Sequence, residues 1–447
     1  MKTTSHTSST KLGTGRVFGS MVLAMAAALS FTVPNLALAQ EKPRDSFEIP
    51  TVPPEVSNTF VPDSSVEHPE DIGVRAHTNY VLFTTDGGKP APMRSPAIPP
   101  PSSNPQTPAS LGCVYKVGPV YSLSCLPANG GTNHPTGGWG AIALVAAYDN
   151  PYAATDIAYF SSYWGLPAAN FTKVLATHNG CTVSSGNFGW ALEEALDIEW
   201  SHAMAPNAKI ILVEACSSSI VDLMYAEELA GSLVAAQGGG DISNSWGGSE
   251  WSTESSYDPD FYLYWNQIAY FAAAGDVGGK VNYPSVSPWV VSAGGTTVID
   301  GSGLPSESCW SGSGGGPSLY ENMQGSQAAV STGKRWTPDL AFDADPNSGV
   351  YVYDAYNGGW YVVGGTSVAS PSLAGIVNNA GNRLGQGLPY TVPYVNQEDL
   401  LLYSSLGATT VFNTSFYDVT TGSNGYAAGA GYDFCTGIGT PRGLLNK

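Results

Sequence analysis

From Trp139 onward the chain alternates between short continuous apolar runs and longer stretches in which apolar positions recur every three or four residues. The short runs predict buried strands at 142–147, 171–176, 209–214, 241–246, 270–274 and 290–293. The longer stretches predict helices at 153–163, 188–204 and 220–236, with another near 261–268. Strands and helices in alternation predict an α/β domain with a mostly parallel central sheet and helices on both faces. Such sheets carry their sites at the carboxyl ends of the strands. No internal repeat is visible, and no later stretch approaches the length of a membrane-spanning helix.

Further on, an apolar run at 352–363 is broken by a turn at Asn357-Gly358-Gly359 and feeds Gly364-Gly365-Thr366-Ser367. Small residues at helical spacing follow through Val377, so Ser367 is predicted to open a helix. The glycines free the backbone and let a substrate chain approach. The helix amino terminus offers unpaired N–H groups for developing negative charge. Pro371 is expected in the first turn, where its missing N–H costs nothing. Taken alone, the stretch is equally a glycine loop entering a core helix. Upstream, 40–110 is rich in Pro, Ser and Thr, which predicts an extended segment or a short propeptide remnant wrapping the domain, with a short strand at 79–84.

Residues 1–39 have the pattern of an export signal. Lys2, Lys11 and Arg16 precede an apolar run at 22–33, and Ala37-Leu38-Ala39 supplies small residues before Gln40. Its three basic groups and no acidic ones take the formal charge from −19 to −22 on removal. So acidic a chain, with Lys+Arg 17 against Asp+Glu 36, excludes a nucleic-acid partner and suits a protein that stays folded at low pH. Six cysteines without CxxC spacing then predict disulfides in an extracellular or periplasmic setting. Cys113 with Cys125 is the local pair expected; the other pairings stay open.

Ser367 needs a base. The six histidines are His6, His68, His77, His134, His178 and His202; His6 leaves with the signal, His68 and His77 fall in the extended segment, and His178 and His202 lack a catalytic setting. The helix at 188–204 offers carboxyls instead. Glu193 and Asp197 are four apart and share a face; pointed into a cleft, they would share a proton and raise one pKa. The alternative is a solvated acidic face, which is the expectation for Glu194 and Glu199. Asp276, in Ala274-Gly275-Asp276-Val277-Gly278, can cap a turn or, protonated, donate to an oxyanion.

These pieces, in this order, resemble the sedolisin family of serine-carboxyl peptidases over roughly 138–443. The resemblance implies a subtilisin-like fold and peptide-bond cleavage in acid. On it, Ser367 matches the nucleophile, Glu193 the general base, Asp197 its orienting partner and Asp276 the oxyanion-hole acid. Ser243-Asn244-Ser245-Trp246-Gly247-Gly248 resembles the substrate-cleft strand. It also implies one structural calcium ion, held by Asp418, Val419, Gly429, Gly431 and Asp433, an all-oxygen set suited to a hard cation. The chain departs from the family where an extra glutamate ends the first strand, with Ala146-Ala147 there and Asp149 beyond. No large folded prosegment is evident either.

A secreted monomeric endopeptidase acting on polypeptides, comprising a domain at 111–447 after the extended segment, is therefore expected. A subtilisin-type Ser-His-Asp enzyme using Asp149 is the nearest alternative. A non-catalytic binding protein on a peptidase scaffold is another.

Overall fold

The computed structural model describes residues 58–95, 105–119, 125–127, 133–299, 306–381, 396–406 and 409–447. All belong to one unit, Pro54–Lys447. The predicted export signal lies outside the described residues.

Three short strands come first: β1 (Thr59–Phe60), β2 (His77–Thr78) and β3 (Val81–Phe83). A seven-residue helix, α1 (Pro108–Val114), follows, capped reciprocally by Thr107 and Ser110. The alternating core then runs β4 (Ala141–Ala147), α2 (Ala153–Trp164), β5 (Asn170–Ala176), α3 (Phe188–Met204), β6 (Lys209–Ala215), α4 (Ile220–Ala236) and β7 (Gly240–Asn244). The chain breaks at Ser245 into β8 (Trp246–Ser249), then passes through α5 (Asp258–Tyr262), β9 (Ile268–Ala273), β10 (Asn282–Tyr283) and β11 (Val290–Ile299). After β12 (Ser306–Cys309), the strands β13 (Gly316–Asn322) and β14 (Lys334–Thr337) form an antiparallel pair. β15 (Leu340–Asp343) and the hairpin β16 (Val350–Asp354) and β17 (Gly359–Gly364) lead into α6 (Thr366–Ala380).

The central sheet is ordered β12-β11-β9-β7-β4-β6-β5, with β15 beside β11. Every pairing is parallel except β11 with the edge strand β12. All seven residues of β4 are buried, as expected of a strand covered on both faces. The predicted fold class is the one observed.

Four local expectations fail for identifiable reasons. The helix near 261–268 is replaced by the short α5, which starts earlier at Asp258-Pro259, and by a turn in which the Tyr264 carbonyl accepts from Gln267 and Ile268 N–H at 2.8 and 3.0 Å. The run 241–246 is two strands, because β8 leaves the main sheet to pair with β2 and β10. Pro371 lies inside α6, beyond its first turn. It has no N–H to give the Ser367 carbonyl, which lies 3.4 Å from Ser245 Oγ. Finally, Glu194 and Glu199 are buried, because α3 packs against α2, α6 and the sheet and every residue from Trp190 to Met204 is enclosed.

The six cysteines pair as Cys113–Cys125, Cys181–Cys216 and Cys309–Cys435.

Candidate active site

Ser367 is the second residue of α6, and α6 lies against α3, so the helix tip faces a helix carrying two buried carboxyls. Ser367 Oγ donates to Glu193 Oε2 at 2.9 Å and lies 3.2 Å from the Ser245 carbonyl. One turn along α3, Asp197 Oδ1 accepts from Ser245 Oγ at 2.5 Å. Glu193 Oε1 and Asp197 Oδ2 are buried with no partner. A single proton held between the two carboxyls would satisfy both, which is the economical state for like charges four residues apart on one face.

The third acid approaches from the other side. Asp276 follows β9, and its Oδ1 accepts from the backbone N–H and the hydroxyl of Thr366 at 2.7 and 2.8 Å. Thr366 Oγ1 in turn accepts from Gly275 N–H at 3.0 Å. Asp276 Oδ2 is buried and unpartnered. Gly365 has φ +103°, and a Cβ on it would sit 2.3 Å from the Asn79 carbonyl oxygen and 2.5 Å from Asp276 Oδ2. Only glycine fits between them. The two oxygens therefore face one point beside Ser367, whose own N–H donates to that same Asn79 carbonyl at 2.9 Å.

Burial pushes Glu193 well above the ordinary glutamate value, and the charge on Asp197 pushes the same way, against the hydrogen bond from Ser367. Burial also lifts Asp197 well above its usual range, opposed by Ser245. Asp276 is pushed up to about 7 by burial, opposed by the two donors on Thr366. Three acids around one hydroxyl are thus poised to hold protons where free carboxyls would not.

Imidazole is placed elsewhere. His178 Nε2 lies 2.8 Å from Asp222 Oδ1, and His202 Nε2 lies 2.9 Å from the Pro167 carbonyl, with its pKa lowered by burial to about 4. Asp149 is engaged by Lys173. None of the three takes part in the hydrogen bonds of Ser367. The structure brings the four candidates Ser367, Glu193, Asp197 and Asp276 to one place, and sequence reasoning missed Thr366 as the residue that holds Asp276. That reasoning also missed Asn79, whose part is played by its backbone and left no side-chain signal.

At the carboxy terminus, Asp418 accepts from Gly431 N–H at 3.2 and 3.0 Å, and Asp433 Oδ2 accepts from Gly429 N–H at 3.0 Å. Both carboxylates therefore converge on the loop Gly429-Ala430-Gly431. Among the described residues the carbonyls of Val419, Gly429 and Gly431 accept no hydrogen bond. Two carboxylates with three spare carbonyls are a donor set of hard oxygens, which fits calcium.

The chain matches the subtilase family over residues 176–398, a span that includes Glu193, Asp197, Asp276 and Ser367. It is 27% identical over 361 residues to kumamolisin of Bacillus sp. (strain MN-32), covering 69% of this chain and 59% of that protein. With sedolisin of Pseudomonas sp. (strain 101) it shares 31% identity over 180 residues, 36% of this chain and 29% of the relative. Among solved structures, Pseudomonas sedolisin, a serine-carboxyl proteinase complexed with two molecules of pseudo-iodotyrostatin, superposes with a TM-score of 0.62. The identity there is 23%, over 76% of this chain and 96% of that one. Sphericase superposes at 0.51 with 18% identity, over 78% and 99%. The chain thus spans less than two thirds of the length of the curated relatives it matches.

The fold is that of a subtilisin-like protein. Within that class, the relatives it is similar to are sedolisin-type peptidases.

Proposed function

We propose that the chain is a secreted serine-carboxyl endopeptidase that hydrolyses polypeptides in acid through an acyl-enzyme on Ser367. The observation that carries this reading is the 2.9 Å hydrogen bond from Ser367 Oγ to Glu193 Oε2, with no imidazole in that position. Glu193 takes the hydroxyl proton as Oγ attacks the scissile carbonyl, and returns it to the leaving amine. Asp197, fixed by Ser245, shares the dyad's remaining proton and orients Glu193. Repulsion within the dyad separates its two ionisation steps, and between them Glu193 is able to accept. Asp276, protonated on Oδ2, and the Ser367 N–H donate to the oxyanion.

Asp276 must be protonated to donate, so turnover is present below about 7 and lost as pH rises through that value. In Asp276→Asn an amide donates at every pH. The decline near neutrality is then expected to vanish from the pH profile of kcat/KM, read as initial rates wherever circular dichroism shows the fold intact. A variant profile that keeps the wild-type decline would remove Asp276 from the oxyanion site.

Three disulfides suit an oxidising compartment, and among the described residues no helix is long and apolar enough to cross a membrane. In this reading 1–39 is the export signal, 40–110 an extended segment and 111–447 the monomeric peptidase domain. One calcium ion at Asp418 and Asp433, with the carbonyls of Val419, Gly429 and Gly431, would neutralise the carboxylates and brace the loop. A chelator is accordingly expected to lower Tm by several degrees, and added calcium to restore it. An unchanged Tm would count against the ion.

A further inference from the structure

The antiparallel pair of β13 and β14 is a sheet of its own, outside the central one. β14 is anchored by Arg335, which is buried and paired with Asp339. β13 is held differently: its buried residues are Gly316, Ser318 and Glu321, while Leu319 and Tyr320 are 61% and 42% exposed. Its ladder to β14 slips between Pro317 and Asn322, so 318–321 forms a bulge without a strand partner. No apolar side chain of that bulge is buried, and polar contacts must hold it down.

Four carboxyls do so. Glu250, just after β8, accepts from Ser318 Oγ through Oε1 and from Leu319 N–H through Oε2 at 2.9 Å. Ser318 Oγ in turn accepts from Tyr320 and Glu321 N–H at 3.1 and 2.7 Å. Glu254 Oε2 accepts from Trp251 N–H at 2.7 Å. Asp258, opening α5, accepts from Ser287 Oγ at 2.7 Å and Tyr283 OH at 3.4 Å. Glu254 is 0% exposed and Glu321 4%, and the Oε1 of each is buried with no donor to accept from. Each side chain meets a second carboxyl instead, Glu254 that of Glu250 and Glu321 that of Asp258. Two carboxylates repel, whereas one shared proton makes a hydrogen bond of them. Burial pushes Glu254 up to about 9, against the Trp251 N–H and helped by the charge on Glu250. Burial pushes Glu321 up to about 8, helped by Asp258 and Glu250 and opposed by Lys334, whose ammonium donates to the Tyr320 carbonyl at 2.9 Å. Asp258 is lifted by burial to about 6, against Ser287 and Tyr283.

The strand so held leads straight from the loop that carries Asp276. Just before β13, Gly314 N–H donates to the Gly275 carbonyl and Gly315 N–H to the Lys280 carbonyl, each at 2.7 Å. Gly279 N–H donates to the Ser313 carbonyl at 3.4 Å. The stretch 313–315 thus brackets Asp276 on both sides.

We propose that Glu254 and Glu321 close a proton-held clasp: protons shared with Glu250 and Asp258 fasten β13 to the chain after β8, and their loss frees β13 and slackens the Asp276 loop. A carboxyl whose pKa is raised by closing favours the closed state fully below its free value, 4.5 for glutamate, and loses that hold as pH rises towards the raised one. Over that range each group weakens the closed state by up to about tenfold per pH unit. The clasp itself is independent of the peptidase reading; only its consequence at Asp276 bears on it.

Hydrogen exchange of the full Ser367→Ala chain, followed by mass spectrometry from about pH 5 to about pH 8 and divided by the intrinsic rate at each pH, tests this. The amides of Leu319, Tyr320 and Glu321 report the clasp, those of Gly279, Gly314 and Gly315 the bracket, and β4 gives the reference for global opening. Both sets are expected to lose about 100-fold or more of their protection relative to β4 across that range. Adding Glu254→Gln and Glu321→Gln keeps a neutral donor facing each partner at every pH, and the loss should then stay below about tenfold. Should that chain not fold, Glu321→Gln alone is expected to lie between the two. Protection of β13 that holds to about pH 8, or an equal loss with and without the glutamines, would overturn the clasp. A β13 that loosens while Gly279, Gly314 and Gly315 stay protected would overturn its link to Asp276.

Discussion

Replacing Glu193 by Gln is expected to lower kcat/KM for peptide hydrolysis by about 10⁴-fold or more, and Ser367→Ala by a similar factor. The amide keeps the shape of the carboxyl and can still sit beside Ser367 Oγ, so the loss is one of proton acceptance rather than of packing. Because the two groups act as one unit, the double variant should be little worse than either single one. Asp197→Asn should cost less, since Asp197 touches Ser245 and acts through Glu193. A Glu193→Gln enzyme within about tenfold of wild type would remove the carboxyl as base, since one donor or acceptor of this kind ordinarily accounts for more. Peptide digestion in acid, compared between the two chains at equal folded concentration, reads this directly.

The central sheet was legible because its strands announce themselves: β4 and β6 are continuous apolar runs, and the bounds of α3 and α4 coincide with their periodic stretches. Glu193 and Asp197 were legible as a pair because helical spacing puts them on one face. Their burial was not, and the same blindness misplaced Glu194 and Glu199. Whether a carboxyl on a helix meets solvent depends on which helices pack against it, and α6 comes from a stretch more than a hundred residues away. The extended segment was read from composition as unable to fold alone; in the structure β2 pairs with β8, and β3 with β1 and β17, pairings that such a composition conceals. Asn79 is the extreme case, since a carbonyl has no sequence signature.

Stability should be greatest in acid and fall steadily as pH rises from about 4.5 to 8, the reverse of ordinary acid denaturation. Burial raises Glu227 from 4.5 to about 8 and Glu398 from 4.5 to about 7, and both are fully enclosed. Asp156 and Glu214, also mostly enclosed, are pushed up to about 8 by burial. Below the unfolded value both states hold the proton and each group's contribution is fully present. Between the unfolded and folded values only the unfolded chain releases it, so each group removes about 1.4 kcal/mol per pH unit from the stability, as an upper figure before relaxation. Above the folded value nothing remains to be lost. A formal charge of −19 at neutrality repels itself and acts in the same direction. Burial opposes the trend at His202, lowered to about 4, and at Lys447, lowered to about 7, since each gains stability as pH rises between its folded and unfolded values. Asp222, held below the usual range against a burial cost by hydrogen bonds from Ser217, His178 and Ser219, acts only below this window. The four raised carboxyls outnumber them. Urea midpoints of the Ser367→Ala chain, which cannot digest itself, should therefore be higher at about pH 4 than at about pH 8. A midpoint that rises with pH would mean that these carboxyls are ionised in the folded protein. Glu227→Gln separates burial from net charge: if the buried proton is what matters, that variant should lose about 1.4 kcal/mol per pH unit less than its parent across the window.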